Sequence, residues 1–183
     1  MPKKSFEKLN EVSAAMGLGE PTGVELPENV GWRANPESKK KQYGENSLDS
    51  DWYPGDQILA AIGQSENRFT PLQLCVYAST LANKGTRYKA TFLNRVVSSD
   101  YTSLEYVNTP VVVSQFEISN DAYYAYTKGM RDVALTGTAR TILKNYPIPV
   151  AAKTGTAETD NGSDNGAFVC YAPFDDPEIA IVV

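Results

Sequence analysis

The stretch "PIPVAAKTGTAET", residues 147–159, decides how the rest of the chain is read. Pro147 and Pro149 discourage a helical start, and beyond its alanines the segment is poor in helix formers, so Val150–Ala157 is expected to form a buried or half-buried strand. Within it stands one cation, Lys153, accompanied by the hydroxyls of Thr154 and Thr156 and by Gly155. Glycine weakens a strand unless something must approach the backbone closely. One charge, two hydroxyls and a bare backbone position therefore describe a strand that faces a ligand.

Downstream, the Asn-Gly and Asp-Asn-Gly content of "TDNGSDNG", residues 159–166, predicts a hairpin connection, with strands in "AFVCYAP", 167–173, and "PEIAIVV", 177–183. The sequence ends inside that last strand pattern, which would leave part of a sheet ladder unpaired. Upstream, Phe6, Leu9, Val12, Ala15 and Met16 predict a helix over 4–16 that Gly17 closes. Turns follow, with one short extended piece at 24–26. Residues 28–55 are polar, hold Pro36 and Pro54, show no sustained period and are expected to be a long irregular connection. Thr70 is placed to cap a helix, with Pro71 at its first position, Gln73 as the capping-box partner and Gly85 as the stop. Strands are expected at 91–97 and 110–117. A second helix is expected from Ser119 or Asn120, its Tyr123, Tyr126, Met130 and Val133 spaced for core packing.

Composition narrows the chemistry. A chain of 183 residues with 42% hydrophobic content can bury a sizeable core, and a net charge of −5 with a single short lysine run at 39–41 argues against a nucleic-acid or anionic-membrane surface. The sequence holds no histidine, so neither a Ser-His-Asp nor a Cys-His arrangement can be built from it. Cys75 and Cys170 lack metal-ligand spacing and sit in apolar contexts, which reads as buried thiols; whether they pair is left open. No metal or cofactor is called for. No apolar run is long enough to span a bilayer, and "MPKKSFEKLNEV" has no apolar stretch behind its basic start.

Five blocks, in order, resemble the class B penicillin-binding protein transpeptidases. They are "GLGEPTGVELPEN" at 17–29, "WYPGDQILAAIGQSENRFTPLQL" at 52–74, "KGMRDVALTGTAR" at 128–140, "AAKTGTAE" at 151–158 and "AFVCYAPFDDPEIAIVV" at 167–183. The resemblance implies an α/β (α+β) fold, an antiparallel sheet packed between helices as in the serine β-lactamases and D,D-transpeptidases. It implies acyl transfer on D-Ala-D-Ala stem peptides through a serine acyl-enzyme, with lysine in place of an imidazole base and three site motifs, S-x-x-K, S-x-N and K-T-G. By that resemblance Lys153 supplies positive charge and joins the proton network. Thr154 and Thr156 offer hydroxyls to the substrate carboxylate, the Thr156 N–H is an oxyanion donor, and Gly155 lets substrate backbone lie against the strand.

Three strings imitate the other motifs: Ser5 to Lys8 and Ser38 to Lys41 as S-x-x-K, and Ser65 to Asn67 as S-x-N. All three are rejected as site motifs. Ser38 lies in the polar connection, Ser5 precedes the glycine-rich turn without a suitable apolar helix, and Ser65 occupies the second glycine position of an IGQG block. Ala152 and Ala90 are smaller departures, standing where glycine and proline are frequent. Residues 1–183 are thus expected to be the C-terminal part of a transpeptidase domain, truncated at both ends and inactive alone. Its parent is expected at the outer face of the cell membrane in a cell-wall synthesis complex, binding stem peptides and β-lactams. A D,D-carboxypeptidase or serine β-lactamase relative, or a non-catalytic β-lactam sensor, are the alternatives.

Overall fold

A computed structural model describes residues 3–157 and 162–183. The first helix, α1 (Lys3–Ala15), ends where Gly17 takes a φ of 94°, the left-handed conformation that suits glycine. Three further helices follow, α2 (Pro36–Tyr43), α3 (Pro54–Ala61) and α4 (Pro71–Ala82), with a single 3-10 turn at Leu48–Ser50. The next elements are four short strands, β1 (Thr86–Tyr88), β2 (Arg95–Val97), β3 (Leu104–Val107) and β4 (Val112–Gln115). Helices α5 (Asn120–Leu135) and α6 (Arg140–Leu143) lead into β5 (Ala151–Ala157), β6 (Asn165–Ala172) and β7 (Ile179–Val182). Among the described residues the pairings are antiparallel: β1 with β4, β2 with β3, and a three-stranded sheet in the order β5-β6-β7.

Where the sequence carried explicit end signals, the elements follow them. Thr70 accepts from the Gln73 N–H at 3.2 Å while the Gln73 side chain accepts from the Thr70 N–H at 3.1 Å, a reciprocal cap on α4. Ser119 caps α5 through the Ala122 N–H. Tyr126 of α5 donates to the Leu81 carbonyl of α4 at 2.8 Å, which joins the two helices, and packs edge-on to Tyr123 of its own helix.

The connection expected to be irregular over 28–55 is so only in part, since it holds α2, the 3-10 turn and the start of α3. Asn35 and Ser38 form a capping box on α2, whose sequence PESKKKQY carries no apolar stripe and therefore no helical period. Its buried Lys39 donates to Asp56 at 2.9 Å, and Asp56 also accepts from the Tyr53 N–H at the start of α3. The extended piece expected at 24–26 is instead a bend. Glu25 accepts from the Thr91 hydroxyl and the Phe92 N–H, contacts that hold its carboxyl down at about 2, and Glu28 accepts from Thr22 and Gly23. Strands β1 and β3 and helix α6 had no sequence expectation, and the strand expected over 91–97 begins only at Arg95.

Among the described residues two apolar clusters form the buried core. Phe6, Ala34 and Ala60, with Leu9 and Trp52, pack α1 against α3 and the segment before α2. Val150, Ala152 and Cys170, with Val133, Leu143 and Phe168, pack α5 and α6 on the sheet. Cys75 and Cys170 are free thiols, and burial raises the pKa of both. Trp32 and Arg68 exchange backbone hydrogen bonds at 2.8 and 3.0 Å. Gly31 makes that approach possible, since a Cβ there would lie 1.8 Å from the Arg68 carbonyl oxygen. Gly31→Ala is expected to cost about 1–3 kcal/mol by forcing the two segments apart. A thermal unfolding midpoint within about 1 °C of the parent would contradict this.

Candidate active site

Strand β5 is an edge strand among the described residues, paired on one side only, with β6. Which of its backbone groups face outward follows from the next strand. Phe168 and Val183 exchange hydrogen bonds at 2.8 and 2.9 Å, so both backbone groups of Phe168 point toward the β7 side. Thr154 lies opposite Phe168 and is therefore in a non-hydrogen-bonded pair, its N–H and C=O directed away from β6. The register runs unbroken from Ala151 to Ala157, so Thr156, opposite Gly166, presents its N–H and C=O to the same open edge. Lys153 and Gly155 spend theirs on the ladder with Val169 and Ala167.

Side chains alternate in the same rhythm. Ala152 shares a face with Cys170 in the core beneath α5 and α6, and Thr154 and Thr156 continue that face past the core boundary. Thr154 is half-buried; Lys153, Gly155 and Thr156 are exposed. The Lys153 ammonium donates to the Thr154 carbonyl, one of the outward-facing groups, so the cation lies at the open edge. Around Gly155, among the described residues only the Ala167 methyl lies near where a Cβ would stand, at 3.7 Å. The start of β5 is anchored by Arg131 of α5, which donates to the Val150 carbonyl at 3.0 Å and stacks on Phe174. The Lys153 ammonium, the Thr154 and Thr156 hydroxyls and the outward-directed N–H groups of those two threonines thus gather at one edge on either side of Gly155, an arrangement that could receive an anionic peptide end. The acidic end of the block, Glu158, and residues 159–161 of the expected hairpin lie outside the described residues.

Sequence reasoning missed one neighbour. The hydroxyl of Thr138, in the turn between α5 and α6, lies 2.8 Å from the Thr154 hydroxyl. Its only sequence signal is the "GTA" block, which gives no contact.

The imitating strings lie elsewhere. The Ser38 hydroxyl donates within its own cap, to the carbonyls of Arg33 and Asn35. Ser65 sits at a φ of 60°, a left-handed conformation that suits the glycine position it occupies. Asn67 braces the loop around it, accepting from the Ala34 N–H and donating to the Ala60 and Gln64 carbonyls. Ser5 is exposed on α1, where Lys8 pairs with Glu11 at 3.0 Å. Among the described residues no group of three or more His, Cys, Asp or Glu is arranged to hold a metal ion.

The family model described as the penicillin binding protein transpeptidase domain matches residues 3–183. The peptidoglycan D,D-transpeptidase MrdA of Acinetobacter baumannii is 31% identical over 97% of this chain and 28% of its own length. In solved structures, penicillin-binding protein 2B of Streptococcus pneumoniae strain R6 superposes with a TM-score of 0.77 at 26% identity, covering 98% of this chain and 28% of that one. The penicillin-binding protein PBP2 of Helicobacter pylori, in its complex with MreC, superposes at 0.73 and 27% identity, covering 97% and 31%. The chain spans under a third of the length of these relatives.

Proposed function

The chain belongs to the penicillin-binding protein transpeptidase family, and from that premise we propose that it forms the Lys-Thr-Gly wall of a peptidoglycan D,D-transpeptidase site. The observation that supports this reading is the open edge of β5, where the outward N–H and C=O groups of Thr154 and Thr156 stand beside the Lys153 ammonium. A stem peptide ending in D-Ala-D-Ala presents an extended backbone and a terminal carboxylate. The backbone lies along the edge past Gly155, and the carboxylate meets Lys153 and the hydroxyls of Thr154 and Thr156.

A serine from the S-x-x-K motif, carried by another part of the parent protein, attacks the penultimate D-Ala carbonyl. Charge builds on the carbonyl oxygen, where the Thr156 N–H is one of two donors, and the serine proton passes through the lysine network to the departing D-Ala nitrogen. The amine of a second stem peptide then attacks the acyl-enzyme, releasing the serine and closing the cross-link. β-Lactams enter the same path, their ring amide replacing the D-Ala-D-Ala bond. The parent acts at the outer face of the cell membrane in a cell-wall synthesis complex; the Helicobacter relative's complex with MreC supports such an assembly. No helix among the described residues is long and apolar enough to cross a membrane.

The test is to supply the parent protein with two stem peptides and follow products by mass spectrometry. Cross-linked dimer with one D-Ala released per bond, blocked by penicillin, is the expected result. Hydrolysed monomer alone would overturn the transpeptidase reading.

A further inference from the structure

We propose that Thr138 is a positioning residue for the carboxylate site, acting through Thr154; the inference rests on the function proposed above. The two hydroxyls lie 2.8 Å apart and come from elements that meet only in the fold, the α5–α6 turn and β5. Other threonines in the chain use their hydroxyls differently. Thr80 and Thr127 donate back to carbonyls four residues earlier in their own helices, at 2.8 and 2.7 Å, which gives them no reach toward a site.

The turn does not need the Thr138 side chain to keep its shape. Thr136 and Gly137 N–H groups both donate to the Asp132 carbonyl, at 2.9 and 2.8 Å, and Ala139 N–H donates to Val133 at 3.1 Å. Gly137 packs so closely that a Cβ would lie 2.8 Å from the Val133 Cα, and Ala139 is buried. The turn is therefore a rigid mount that holds one exposed hydroxyl against the strand.

What the pair does follows from proton counting. Two hydroxyls carry two protons, and the bond between them uses one. With no anion present either oxygen can donate. An arriving carboxylate selects the arrangement in which Thr138 donates to Thr154 and Thr154 donates to the carboxylate, because each bond then polarises the next. Without Thr138, the Thr154 proton has other directions available and its oxygen loses that polarisation.

The experiment measures acylation of the parent protein by benzylpenicillin and by its methyl ester, which keeps the reactive ring but has no carboxylate. In the parent the free acid is expected to react faster. Thr138→Val should lower the ratio of the two rates by about three- to tenfold, the weight of one hydrogen bond, while Thr138→Ser restores it. In a Thr154→Val background, Thr138→Val should change the ratio no further. An equal fall for acid and ester, no fall for either, or a full Thr138→Val effect without Thr154 would each overturn the inference while leaving the proposed function intact. A parent protein that neither ligand acylates overturns the function, and the inference with it.

Discussion

Replacing Lys153 by alanine is expected to slow acylation of the parent transpeptidase, by stem peptide and by penicillin alike, by about 10²–10⁴. The ammonium is exposed at the edge of β5 and donates to the Thr154 carbonyl; on the proposed function, that edge is where a substrate's terminal carboxylate and the proton network need positive charge. Stability should hardly change, because the ladder with Val169 uses the backbone of Lys153 and not its side chain. The measurement is the second-order rate of covalent adduct formation, followed by intact mass alongside a thermal unfolding curve. A rate within about twofold of the parent would remove Lys153 from the mechanism.

Thr156→Pro is expected to abolish detectable acylation, whereas Thr156→Ser stays within about an order of magnitude of the parent. Proline deletes the backbone donor; serine keeps both the N–H and the hydroxyl. Such a substitution would ordinarily be uninterpretable inside a sheet. Here the Thr156 N–H points to the open edge, and an edge strand with its N–H outward is where proline is tolerated. The protein should therefore remain folded while its chemistry is lost. Gly155→Pro is the internal contrast, since Gly155 lies in a hydrogen-bonded pair with Ala167 and its loss should disturb the sheet itself. Acylation by Thr156→Pro comparable to Thr156→Ser would mean that the oxyanion donor lies elsewhere.

The parts of this architecture readable from sequence are those with local chemical markers. Thr70, Pro71 and Gln73 announce α4 because a capping box is a contact between near neighbours. Pro147, Pro149 and the Lys153 to Thr156 run announce β5 because helix is excluded before it begins. Helix α2 escaped because its stability comes from Asn35, Ser38 and the buried Lys39–Asp56 pair, with no periodic apolar face. Strand β1 escaped because three residues cannot display alternation, and what makes it a strand is β4, two dozen residues later. The same limit governs the site. Lys153 to Thr156 are contiguous and carry their own signal, whereas Thr138 becomes relevant only when α5 and α6 pack onto the sheet.

The unbroken pairing of β5 with β6 makes this strand behave like text in a reading frame. Odd-numbered residues are spoken for by the sheet and even-numbered ones address whatever comes to the edge. Inserting or deleting one residue between Pro149 and Lys153 would leave seven residues able to pair, yet it would exchange the two audiences. The amides of Thr154 and Thr156 would turn inward and those of Lys153 and Gly155 outward, with every side chain moved to the opposite face. On the proposed function, the length of this segment therefore matters as much as any side chain in it, because a one-residue change reverses the whole edge at once.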